Sequence, residues 1–122
     1  MRTFQLMMLA VVASLAALGC GSDAPSTQAG ARDAAAAAAC NYYARCMMIG
    51  SGKTFASTDA CLTQVKNTFQ TLWPPEACMT ISSTGINNCL TSINIAECGN
   101  GSDAANVLLN KCTRANVCAA TN

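Results

Sequence analysis

Eight of the nine cysteines lie between Cys40 and Cys118: Cys40, Cys46, Cys61, Cys78, Cys89, Cys98, Cys112 and Cys118. No other feature restricts the fold as strongly. Cysteine at about a tenth of that region reaches the ~8–10% that marks a disulfide scaffold. A short domain buries too little surface to rely on packing alone and gains from covalent links. In an exported segment an even count implies bridges, whereas in the reducing cytosol it would suggest metal or redox work. Which case applies depends on whether the chain is exported. At 122 residues there is room for one domain.

Met1-Arg2-Thr3 carries one positive charge, and Phe4 to Leu18 is almost wholly apolar. That is the charged start and apolar run of a signal peptide, too short to span a bilayer comfortably. The run ends Ala17-Leu18-Gly19-Cys20, followed by Gly21-Ser22-Asp23. This ending resembles the lipobox of bacterial lipoproteins. Gly19 and Cys20 match, while Ala17 stands where Leu is preferred and Leu18 where a small residue is usual. The resemblance implies that residues 1–19 are a cleaved leader and that Cys20 is acylated as the first mature residue. Gly21 rather than Asp after the cysteine implies outer-membrane sorting in a Gram-negative cell. Lipid on Cys20 leaves an even eight for bridges. The alternative is a freely secreted chain with Cys20 unpaired.

The formal charge is +1, and loss of Arg2 with the leader leaves basic and acidic residues equal in number. There is no Lys/Arg run and no interleaving of cations with aromatics. This argues against a nucleic-acid partner and against electrostatic attraction to anionic lipid. A membrane partner is therefore expected only through the N-terminal lipid.

Residues 20–32 contain Gly, Ser, Ala, Pro, Thr, Gln and Asp but no large apolar side chain, so we expect a flexible tether. Residues 33–122 are expected to form the domain. Six alanines follow Asp33, which suits a helix from about Asp33 to Met48, ended by Gly50-Ser51-Gly52. Ala36, Cys40, Tyr43 and Met47 would share one face. A second helix begins at Ser57 or Thr58, carries Cys61, Val65, Phe69 and Leu72, and stops at Pro74-Pro75. A third is capped by Ser83 or Thr84, carries Ile86, Cys89, Leu90 and Ile93, and ends at Gly99. A fourth starts at Ser102-Asp103 and carries Ala104, Val107, Leu108 and Cys112, with Lys111 and Arg114 near its end. Thr80-Ile81-Ser82 permits a short extended piece, but no run alternates long enough for a strand. The expected fold is all-α, a small disulfide-stapled bundle of about four helices.

Each helix sets a cysteine on its apolar stripe, so the eight are read as inward-facing staples. Cys40 and Cys46 on one intact helix would be separated by ~9 Å of rise, beyond the ~7 Å allowed between bonded Cα atoms. The same holds for Cys112 and Cys118. In one scheme Cys46 pairs with Cys61 and Cys89 with Cys112. In another the two outer helices lie antiparallel, giving Cys40–Cys118 and Cys46–Cys112. The first closes local loops and is our expectation, with many other connectivities formally open.

Little else points to chemistry. The chain has no histidine, which removes the usual Ser/His and Cys/His pairs and most zinc sites. There is no Cys-x-x-Cys. Asp59, Glu76, Glu97 and Asp103 fall at helix ends or in loops. Gly50-Ser51-Gly52-Lys53-Thr54 lacks the spacing and the preceding strand of a phosphate-binding loop. Asn100-Gly101-Ser102 is read as a turn rather than a glycan site. We expect no catalytic residue, no metal and no cofactor. Tyr42, Tyr43, Phe55, Phe69 and Trp73, with Met47 and Met48, either form ordinary core or line an apolar ligand cavity. Trp73 beside Pro74-Pro75 is also a candidate exposed contact.

In layout, with a lipobox, a low-complexity tether and a Cys-rich helical domain, the chain resembles small Gram-negative lipoproteins. That likeness implies no activity. Locally, Ala60-Cys61 to Leu72, Pro74-Pro75-Glu76-Ala77-Cys78 and Ser83-Thr84-Gly85 are similar to a segment of elicitins. Those are secreted, disulfide-bonded helical proteins that bind sterols in an apolar cavity. The segment covers about 25 residues, with one extra residue before Cys78 and eight rather than six domain cysteines. The primary expectation is a non-enzymatic outer-membrane lipoprotein with a structural or interaction domain. The alternative is a secreted or tethered binder of a sterol or fatty acid.

Overall fold

A computed structural model describes residues 24–99, 106–107 and 110–119. The leader, Cys20 and the Asn100–Ser102 and Asp103 positions lie outside the described residues.

The first helix, α1, spans Gln28–Arg45. It starts five residues before the expected Asp33, inside the stretch read as tether. Thr27 is its cap: the backbone there is extended (φ −110°, ψ 152°) and the hydroxyl accepts from the Gly30 N–H at 3.0 Å. Gln28 is buried, and its amide nitrogen donates to the Trp73 carbonyl at 2.6 Å. Ala31 is fully buried. Low hydrophobicity concealed these turns, because a methyl and a satisfied amide can be buried as readily as a large apolar group.

At its other end α1 stops short of Met48. The Met48 N–H donates to the Tyr43 carbonyl (2.8 Å) and the Met47 N–H to the Ala44 carbonyl (3.0 Å). With Cys46 as the cap residue, this is a Schellman motif. Met47 occupies its left-handed position (φ 58°), where glycine is usual. The glycine-rich segment beyond forms a turn, with the Lys53 N–H on the Gly50 carbonyl (3.0 Å) and the Gly50 N–H on the Phe55 carbonyl (2.8 Å).

The second helix, α2, spans Thr58–Leu72 with Ser57 as cap and Asp59 in the first turn. Cys61, Val65 and Phe69 are buried along one face, at the spacing expected. The helix ends before Pro74-Pro75, which cannot donate further helical hydrogen bonds. The third helix, α3, spans Ser83–Ile95. Its cap is Ser82, one residue ahead of the expected pair, and it ends at Ala96 rather than Gly99. Ile86, Cys89 and Ile93 are buried.

Asn106, Val107, Asn110 and Lys111 are helical, but the helix does not carry through Arg114. It breaks at Cys112-Thr113, and the short helix α4, Arg114–Val117, starts afresh with Thr113 as cap. The cap hydroxyl accepts from the Asn116 N–H at 3.3 Å. The Thr80–Ser82 segment is extended and pairs antiparallel with Val117–Ala119: the Ser82 N–H donates to the Val117 carbonyl and the Ala119 N–H to the Thr80 carbonyl, both at 2.8 Å. Gly85 lets α3 approach α4 closely, since a Cβ there would collide with the Asn116 carbonyl.

The described residues form an all-α domain stapled by disulfides. α1 is the hub, packing against both α2 and α3, while α4 packs on α3. Ala31, Ala35, Ala36, Ala38 and Ala39 are all buried, so alanine occupies more than one side of α1. Small side chains allow close approach of neighbouring helices on those sides. Among the described residues no buried side-chain nitrogen or oxygen lacks a partner.

Candidate functional site

The eight domain cysteines form four bridges among themselves. Cys40 joins Cys61, linking α1 to the start of α2 (Cα–Cα 5.9 Å). Cys46 joins Cys98, linking the end of α1 to the segment after α3 (5.3 Å). Cys78 joins Cys118 beside the short extended pair (4.9 Å). Cys89 joins Cys112 (4.8 Å).

The expected Cys89–Cys112 pair is therefore present, and the expected Cys46–Cys61 pair is not. Cys61 is taken by Cys40, which lies on α1 about 1.7 turns before Cys46. The reason lies in α1 itself. It ends before Cys46, so Cys40 meets α2 from within the helix while Cys46, as its cap, meets the segment after α3. The antiparallel scheme, Cys40–Cys118 with Cys46–Cys112, is also absent, because the chain breaks at Cys112-Thr113 and turns Cys118 toward Cys78.

Burial separates the bridges. Cys61, Cys78, Cys89 and Cys112 are fully buried and Cys40 nearly so. Cys46 and Cys118 are half-buried, and Cys98 alone of the eight is exposed. Cys98 falls outside the apolar spacing of α3, which is the one hint of this that the sequence offered. Two side chains of α1 hold the backbone next to it. The Tyr42 hydroxyl donates to the Glu97 carbonyl at 3.2 Å, and Arg45 donates to the Ala96 carbonyl at 2.9 Å.

The aromatic residues fall into two groups. Tyr42, Tyr43 and Phe55 make successive edge-to-face contacts, with centroids 5.4 and 4.9 Å apart. Phe69 stacks on Trp73 at 4.6 Å. Trp73 is not an exposed contact: it is fully buried, and its indole N–H donates to the Cys112 carbonyl at 2.9 Å. Met47, offered as a cavity wall, is instead 77% exposed. Partial burial, reinforced by the adjacent Tyr42, raises the Tyr43 phenol above its ordinary value.

Two polar features were not foreseen. Near the start of α1, Arg32 donates to Asp33 (2.9 Å) and to the Gln70 side chain (3.0 Å), with Lys66 3.8 Å from Asp33. The Arg32 hydrogen bond holds the Asp33 carboxyl below its usual range, against a smaller desolvation effect. The second is a groove of about 390 Å3 at the start of α3, lined by Ser82, Thr84, Asn88, Asn110, Lys111 and Asn116 among others. No periodic or spacing signal marks these asparagines. Asp59, Glu76 and Glu97 are exposed and lie apart in the sequence, at a helix start or in loops.

Fold and bridges together define a small disulfide-stapled helical domain. The chain belongs to a family of unknown function, DUF6184, which matches residues 40–120. That span begins at Cys40 and includes all eight bonded cysteines. No curated protein and no solved structure matches the chain.

Proposed function

We propose that this is an exported lipoprotein of the bacterial outer membrane, whose stapled helical domain serves a non-catalytic structural or interaction role. The supporting observation is the cysteine pairing. Eight of the nine cysteines are consumed by one another, which leaves Cys20, at the end of the lipobox-like run, as the residue available for acylation. Four bridges also suit an oxidising compartment rather than the cytosol.

The geometry adds a consequence. Ala24 already packs against the core. From Cys20 to Ala24 the chain can reach at most about 14 Å. An anchored domain is thus held close to the bilayer, on a much shorter tether than residues 20–32 would make. Mass spectrometry of the native protein tests this. The mature chain is expected to begin at an acylated Cys20, and Cys20→Ala is expected to release the protein from the membrane fraction. An intact, unacylated peptide across residues 17–22 would overturn it.

A further inference from the structure

We propose that Cys46–Cys98 is a thiol–disulfide exchange site, opened by the dithiol form of a protein partner and reclosed by that partner's disulfide form, while the other three bridges stay shut. The inference rests on the geometry of this bridge and is independent of whether Cys20 is acylated.

Three observations carry it. Each of the other bridges has at least one fully buried cysteine, whereas Cys98 is exposed and Cys46 half-buried. Exchange requires in-line access of a thiolate to a sulfur, so exposure sets which bridge reacts first. Next, the bridge has an apolar rim. Met47 follows Cys46 and is 77% exposed, and Ile95, at the end of α3 just before Cys98, is 74% exposed. By chain length alone both lie within about 11 Å of a bridge Cα. Singly, such residues are ordinary; together beside the most exposed of the four bridges they offer a contact surface for a protein that brings a thiol. Last, the segment stays docked without the bond. Tyr42 and Arg45 hold the Glu97 and Ala96 carbonyls, so the two freed thiols remain neighbours and can close again. This bridge also closes the longest loop of the four, with a separation of 52, so its opening frees the unfolded chain more than any other single reduction while the folded segment stays docked.

The step balances as follows. A partner thiolate attacks the Cys98 sulfur and forms a mixed disulfide, and the Cys46 sulfur leaves as a thiolate that takes a proton from water. The partner's second thiolate then attacks its own sulfur in the mixed disulfide. Cys98 is released as a thiolate and protonated in turn. Two electrons pass to this protein, and the partner ends as a disulfide.

The oxidised chain, with any free thiol blocked beforehand, is exposed to graded dithiothreitol, alkylated and peptide-mapped. Cys46 and Cys98 are expected to label together, about tenfold faster than any other pair, with the far-ultraviolet circular dichroism unchanged. Synchronous labelling of all eight, or earlier labelling of another pair, overturns the proposal. A thioredoxin-fold oxidoreductase whose resolving cysteine is replaced by serine supplies the protein probe. It is expected to be trapped on Cys98, and trapping elsewhere or not at all overturns the proposal. Ile95→Ser is expected to slow trapping several-fold while leaving dithiothreitol opening unchanged; equal trapping removes the role of the apolar rim.

Discussion

The two halves of α1 are held in the domain by different means. From Gln28 to Ala39 there is no cysteine and no large apolar residue. That half is held by buried alanines, by the Gln28 amide on the Trp73 carbonyl and by the Arg32–Gln70 contact. From Cys40 to Arg45 and its cap, two bridges and the Tyr42–Tyr43–Phe55 cluster do the holding. The family match begins at Cys40 and so includes only the second half. A helix can thus be docked by shape where its side chains are small, and by covalent bonds where it meets the start of α2 and the segment after α3.

Removing a staple is the severest test of the second half. Cys40→Ala with Cys61→Ala is expected to cost about 3 kcal/mol in chemical denaturation, with the helix content largely retained under native conditions. A loss below ~1 kcal/mol would mean that packing alone holds this half as well. The matching test of the first half is Ala35→Leu. Ala35 is fully buried on the hub helix, and a side chain that much larger is expected to destabilise by about 2 kcal/mol through overpacking. A neutral result would show that the alanines are merely helix formers and that close approach is not their role.

Met47→Gly tests the junction at the end of α1 and runs in the opposite direction. The residue pays for a left-handed conformation, and its side chain is mostly exposed. Glycine there is expected to raise stability by about 1 kcal/mol. The smallest effect belongs to the polar start of α1. Because the folded-state pKa of Asp33 is lowered, its contribution is present above the unfolded carboxylate pKa of about 4. It is lost as the pH falls through the folded value. Asp33 is exposed, so Asp33→Asn is expected to cost only about 0.3 kcal/mol at neutral pH and to flatten the acid limb of the stability–pH profile slightly.

Legibility from sequence followed the same division. α2 was readable nearly residue for residue, because Ser57, the Cys61–Val65–Phe69 stripe and Pro74-Pro75 each act locally. The start of α1 was not. Gln28 and Ala31 look like linker until a partner carbonyl and a neighbouring helix are supplied. Trp73, next to two prolines, carried no sign that its indole N–H would find the Cys112 carbonyl across the fold. The break at Cys112-Thr113 was hidden because Ala104, Val107, Leu108 and Cys112 keep a helical spacing in the sequence, and Lys111 and Arg114 suit a helix C-terminus. The groove beside Ser82 and Asn116 draws on residues distant in sequence and had no local signature.

By itself the sequence determined that the chain is helical, where α2 and α3 sit to within a residue or so at most ends, and that the eight cysteines cross-link one another; the expectation that all eight face inward fails at Cys98, which is exposed beyond the end of α3. These follow from propensity, caps, prolines and spacing, all of which act within a few residues. Only the tertiary structure decided which cysteine meets which and which bridge remains open to solvent. Pairing depends on the relative placement of helices across the whole domain, and an offset of about 1.7 turns along α1 is enough to exchange Cys46 for Cys40 as the partner of Cys61.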